Sequence, residues 1–189
     1  MPSFDSSKIV RLTGSIDEEA SENFLAGLRE MSLTGVDGGI TVVIHSDGGD
    51  TEDAFRILDA FKLLKDSGFR IRTILTGKAY SMASYIFCMG DYRTIYPNGR
   101  LMFHMSRYPE LQENDVTCAK LMELCKDLKF YDDRFVQIMK SVGIPRRLIS
   151  RAKGRGRVPE RRGSGEARRC PCHRARNTLI FAIFWSWTL

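Results

Sequence analysis

The residues of this 189-residue chain whose types and spacing could do chemistry gather around one hydroxyl. Gly77-Lys78-Ala79-Tyr80-Ser81-Met82-Ala83-Ser84 lies between an apolar, partly alternating run, Phe69 to Thr76, and an apolar helical run, Tyr85 to Met89. A strand that turns abruptly into a helix holds one side chain up at the turn and leaves the first N–H groups of the helix without intrahelical acceptors. A hydroxyl there, with N–H groups beside it, supplies what acyl transfer needs: a nucleophile and donors for an oxyanion. A lone Ser at such a turn is ordinarily a helix cap. Ser81 rises above that reading because of a Gly48-Gly49 pair upstream and His104 downstream.

The other chemical signals are weaker. Cys170-Pro171-Cys172-His173 invites a zinc reading, but no second ligand pair stands at usable spacing, so no metal is expected. The chain has no Gly-x-x-x-x-Gly-Lys-Ser/Thr loop, so it is not expected to bind nucleotide or need any cofactor itself.

The elements that must position these residues follow in order. Lys8 to Thr13 alternates as a strand closed by Gly14, and Ser15 or Asp17 can cap a helix with Glu18 and Glu19 in its first turn. Ile40-Thr41-Val42-Val43-Ile44 reads as a buried parallel strand running into a turn at Ser46 to Asp50. Ala54, Phe55, Leu58, Phe61 and Leu64 then mark an amphipathic helix. A strand from Phe69 to Thr76 precedes the Ser81 turn, and Arg93–Tyr96 and Leu101–His104 read as short strands around Pro97-Asn98-Gly99. This β-α-β-α-β-α-β-β order implies an α/β fold, a mostly parallel sheet with right-handed crossovers. Function gathers at the carboxyl ends of such strands, and both the Gly48-Gly49 and Ser81 segments fall there. From about Asn114 to Val142 a long helical pattern carries a wide apolar face, including Leu121, Leu124, Leu128, Phe135 and Met139. It is expected either to project and meet a partner subunit or to lie in a monomer core.

Residues 1–143 hold 17 Lys and Arg against 21 Asp and Glu, a net −4, and residues 144–189 hold 12 against 2, a net +10. The body is thus mildly acidic, which speaks against nucleic acid as its partner. Five unevenly spaced cysteines fit a reduced, cytoplasmic setting better than a disulfide framework, and no signal peptide or membrane span is visible. The domain is expected over residues 1–150. Residues 151–189 form an Arg-rich tail without hydrophobic period, expected to be disordered or read out of the ancestral frame.

Three segments, Ser46-Asp47-Gly48-Gly49, Gly77-x-Ala79-x-Ser81-Met82-Ala83 and Pro97-Asn98-Gly99-Arg100-Leu101-Met102-Phe103-His104, stand in an order and at separations that resemble the proteolytic subunit of the Clp protease, a self-compartmentalising serine peptidase. The likeness covers roughly residues 8 to 145. It implies the Clp protease or crotonase-like fold, with repeated β-β-α units and the long helix as a projecting handle. It also implies that Ser81 is the nucleophile, that His104 is the general base and that the backbone N–H groups of Gly49 and Met82 form the oxyanion hole. His45 occupies the family's Asn position and is read as structural; Asp47 replaces a Pro, and Tyr80 is bulkier than usual. The family's partners would be copies of the chain in a ring, commonly heptameric and stacked in pairs, an ATP-driven unfoldase, and unfolded polypeptide as substrate. The triad acid has no counterpart. No Asp follows Asp133, and Glu160 and Glu166 match no motif, so the acid is left unassigned. Loss of an orienting carboxylate costs about 10⁴ in a comparable triad. The alternative is therefore a catalytically impaired ring or scaffold subunit. A thioester enzyme of the crotonase type is disfavoured by Ser81-Met82 with His104 downstream.

Overall fold

The computed structural model describes residues 7–35, 37, 39–106, 117–155 and 168–169. Strand β1 (Ile9–Ile16) is followed by helix α1 (Glu18–Leu33), β2 (Ile40–Gly49) by α2 (Thr51–Asp66), and β3 (Ile71–Tyr80) by α3 (Met82–Cys88). Then come the short strands β4 (Tyr92–Ile95) and β5 (Arg100–Met102), helices α4 (Cys118–Ser141) and α5 (Arg146–Arg155), and the two-residue strand β6 (Arg168–Arg169). The sheet order is β1-β2-β3-β4-β6, with β5 also paired to β3. All pairings among β1 to β5 are parallel, and β6 runs antiparallel to β4. The α/β architecture with a parallel sheet is thus the one the alternating pattern implied.

The β-branched run in β2 sits at the centre because it can bury both faces; Ile40, Val42 and Ile44 are fully enclosed, as are Ile71 and Leu75 of β3. Phe24 and Leu28 of α1 and Ile57 and Phe61 of α2 cover the sheet. Of the two candidate caps for α1, Asp17 makes the bond, accepting from the Ala20 N–H at 2.9 Å. At α2, Asp50 accepts from the N–H groups of Glu52 and Asp53 at 2.8 and 3.0 Å. Asp50→Ala is expected to lower stability by about 1 kcal/mol, read from the urea midpoint.

Four local expectations need correction. Gly14 does not close β1; the strand continues to Ile16 through a register shift between Gly14 and Ser15, with Gly14 at φ 78°. Ser46 to Gly49 is not a turn but the extended end of β2. β3 does not stop at Thr76, because β5 pairs alongside Lys78, Ala79 and Tyr80 and keeps it extended to the threshold of Ser81. Pro97-Asn98-Gly99 does not reverse the chain. β4 pairs with Arg72–Leu75 and β5 with Lys78–Tyr80, both in the same direction, so the segment is a jog that lets two short strands share one long neighbour.

Helix α4 starts at Cys118, with the Thr117 hydroxyl accepting from Lys120 N–H; residues 114–116 lie outside the described ones. Its buried residues, Phe135, Val136 and Met139, all fall in its last third. There Phe135 stacks on Tyr85 with centroids 4.5 Å apart and meets Phe55 at 5.9 Å, while Tyr131 donates to Glu52. Leu121, Met122 and Phe130, nearer its start, are exposed. Helix α5 crosses residue 150 and buries Leu148, Ile149 and Ala152. The expected frame-altered or disordered tail, including Cys170 to His173, lies outside the described residues from 156 on, apart from the backbone pairing of β6.

Candidate active site

Ser81 is the single residue between β3 and α3. Its main chain is held from both sides. The Ser81 N–H donates to Met102 O of β5 at 2.9 Å, and its carbonyl accepts from the N–H and hydroxyl of Ser84 at 3.0 and 2.6 Å. These constraints force φ 52° and ψ −127°, and Ser81 is the one non-glycine residue with positive φ among those described. Such a conformation costs about 1–3 kcal/mol and persists only where its surroundings over-determine it. Although Ser81 occupies the N-cap position of α3, its side chain makes no capping hydrogen bond. The ordinary use of a Ser at this place is therefore not the one made of it. The half-buried hydroxyl stands free at a sharp strand-to-helix corner, the geometry by which a nucleophile is presented above a sheet.

The end of β2 backs directly onto this corner. A Cβ on Gly48 would lie 2.6 Å from Tyr80 O, 2.7 Å from Ser81 Cβ and 2.9 Å from Met82 N. The convergence of the two segments at the carboxyl ends of β2 and β3 is thus present in space. Gly48 N–H is taken by the Ser46 hydroxyl at 3.0 Å, which holds the strand end in place. Gly49 needs to be glycine for a reason other than close approach of a ligand. A Cβ there would lie 2.0 Å from Ile16 O and 2.6 Å from Ile16 N of β1.

His104 follows β5 by two residues and is brought to the same end of β3 by the Tyr80–Met102 pairing. Its carbonyl accepts from the Tyr85 hydroxyl at 3.0 Å. Its Nδ1 lies 2.6 Å from Met105 O. A carbonyl oxygen only accepts, so Nδ1 carries the hydrogen and Nε2 of the neutral ring is left with its lone pair. No hydrogen bond joins the Ser81 hydroxyl to His104 among the described residues. Catalytic hydrogen bonds are commonly long until substrate is bound. Burial, then nearby Cys88 and Asp132, hold the Tyr85 phenol well above its ordinary pKa, so it stays a donor. Tyr85 is also packed against Phe103 and Phe135. Tyr85→Phe keeps that packing and removes one bond. It is expected to lower stability by about 1 kcal/mol, measured by thermal unfolding, and to loosen the His104 segment.

The remaining sequence candidates are occupied elsewhere. Exposed His45 has Nδ1 on Thr76 O at 2.9 Å, and its ring fills the space a Cβ on Gly77 would need. Side chains alternate along β2, so His45 and Asp47 project to the face opposite Ser46 and Gly48. Asp47 pairs with Lys78 at 2.6 Å, both partly exposed, a contact worth under about 1 kcal/mol.

One residue of this neighbourhood was missed in the sequence. Asp132 of α4 accepts from the Ser106 N–H at 2.8 Å, which places a carboxylate two residues from His104. Its signal was there: Asp132 precedes Phe135 and Val136 by three and four positions, so an acid sits on the inward helical stripe.

The arrangement holds a free hydroxyl in a strained corner, an imidazole with Nδ1 on a carbonyl just past the adjoining strand, and glycine backbone packed against the hydroxyl-bearing residue. The sequence also matches the family model for Clp protease over residues 2–131. The match spans all five parallel strands and both candidate side chains, and the chain is a peptidase of the Clp protease family.

Proposed function

We propose that the chain is a serine endopeptidase subunit in which Ser81 is the nucleophile and His104 the general base. The observation that carries this reading is Ser81 itself: a hydroxyl in a strained backbone conformation, at a helix start it does not cap, on a residue whose N–H is tied to the strand leading to His104. As Ser81 Oγ bonds to the substrate carbonyl carbon, its proton passes to His104 Nε2 and the carbonyl π electrons move to oxygen. The N–H groups of Gly49 and Met82 receive that oxyanion. The imidazolium then returns the proton to the amide nitrogen, the C–N bond breaks, and an acyl-Ser81 ester remains. Water repeats the sequence, giving its proton to Nε2 and its oxygen to the acyl carbon.

Among the described residues β5 pairs with β3 alone, and its other edge is where an extended peptide would add as a strand. The stretch of α4 that exposes Leu121, Met122 and Phe130 suits the handle between stacked rings, and an ATP-dependent unfoldase would deliver unfolded polypeptide. The second reading, a catalytically impaired ring subunit, is favoured by the carbonyl rather than carboxylate on His104 Nδ1. A fluorophosphonate probe decides between them. Labelling of the assembled wild type that disappears in Ser81→Ala supports the enzyme; no Ser81-dependent label supports the impaired subunit.

A further inference from the structure

The His104 Nδ1–H and the Asp132 carboxylate bond to the two ends of one peptide group. Met105 supplies the carbonyl that accepts from the imidazole at 2.6 Å, and Ser106 supplies the N–H that donates to Asp132 Oδ1 at 2.8 Å. Met105 C=O and Ser106 N–H are conjugated through the same C–N bond. We propose that this peptide group relays Asp132 to His104, so that Asp132 serves as the positioning residue for the base in a chain that runs imidazole, peptide, carboxylate. The proposal rests on His104 being the base for Ser81.

The physical case has three parts. A carboxylate that draws on the amide N–H shifts electron density toward the carbonyl oxygen and makes it a better acceptor, the mutual polarisation of linked hydrogen bonds. The carbonyl can only accept, so the relay holds the proton on Nδ1 and leaves Nε2 of the neutral ring with its lone pair, which is the tautomer control an acid provides in a triad. When Nε2 takes the Ser81 proton, the imidazolium charge faces a polarised oxygen and, one peptide further, a full negative charge. No proton moves to Asp132 in this scheme, and none needs to.

The placement is independently supported. Phe135 and Tyr131 dock the Asp132 turn of α4 against α2 and α3, so the carboxylate is delivered by a packed element. Tyr85 fixes the carbonyl of His104 from the other side. Other acids near the site are engaged: Asp47 with Lys78 and Glu52 with Tyr131.

An indirect carboxylate should matter less than a direct one, whose loss costs about 10⁴. The test uses the full chain, a short fluorogenic peptide and a fluorophosphonate probe, with Asp132→Asn, Asp132→Ala and Ser81→Ala. Asn is nearly isosteric and keeps an oxygen for the Ser106 N–H while losing the charge, so it decides even if the Ala variant does not fold. Asp132→Asn is expected to lower kcat and the labelling rate by about 10-fold, with KM within about twofold. Asp132→Ala is expected to fall further on the same axis. A wild-type kcat in Asp132→Asn beside an inactive Ser81→Ala would overturn the relay and leave Ser81 and His104 standing. Wild-type hydrolysis in Ser81→Ala, or no Ser81-dependent label in the wild type, would overturn both.

Discussion

Ser81→Gly is expected to abolish peptide hydrolysis while making the fold more stable. The hydroxyl is the nucleophile in the proposed reaction, and removing a triad nucleophile costs about 10⁴ or more in kcat. Its backbone, at φ 52° and ψ −127°, lies where an L side chain meets its own main chain and glycine does not. Relief of about 1–3 kcal/mol of strain outweighs the roughly 0.7 kcal/mol that glycine adds to the entropy of the unfolded chain. A net gain of about 1 kcal/mol in urea unfolding is the predicted outcome. Ser81→Ala, which keeps a Cβ and hence the strain, should be equally inactive without that gain. If the Gly variant proved less stable than the Ala variant, the strain at this corner would not be real.

Gly48→Ala is expected to damage both stability and activity. Two of the three atoms its Cβ would strike, Tyr80 O and Met82 N, are main chain, and the third is the Cβ of Ser81. None can rotate away. The close contacts, together with φ 87°, predict a loss of about 3 kcal/mol. What remains folded must displace Ser81, and a shift of about 1 Å at a reacting group costs on the order of 100-fold. Gly68→Ala is the control. Gly68 also has positive φ, at 92°, but a Cβ there meets nothing within 4 Å. It should cost about 1 kcal/mol and leave kcat unchanged. Equal kcat in the two variants would mean that β2 does not support the Ser81 corner.

The residues differ in how far their places could be read from the chain alone. The β-branched run at Ile40–Ile44 and the helical spacing of Ala54 to Leu64 announced themselves, because burial on one or both faces imposes its period on sequence. Ser81, Gly48-Gly49 and His104 were legible as types in order. The meeting of the Gly48-Gly49 and Ser81 segments followed from one rule, that parallel strands deliver their carboxyl ends to the same edge. The strand ends were not legible. Glycines at 14, 48 and 77 look like punctuation, yet each lies inside a strand at positive φ, and the strand runs on past it because flanking residues pair with neighbour strands that local sequence does not reveal. Pro97-Asn98-Gly99 carries turn chemistry, but whether the chain reverses depends on β3 being long enough to seat two short partners. Asp132 was overlooked because its role depends on a docking of α4 that joins residues 26 positions apart.

Most of the atoms that define the site are main chain. The N–H of Ser81, the carbonyls of His104 and Met105, the N–H of Ser106 and the proposed donors at Gly49 and Met82 belong to every residue type except, for the N–H groups, proline. Side-chain replacement at Met82, Met102, Met105 or Ser106 therefore leaves the chemical groups in place and alters only how they are held. Such a site drifts easily in composition and hardly at all in shape, so proline scanning from Met102 to Ser106 would map it more sharply than alanine scanning.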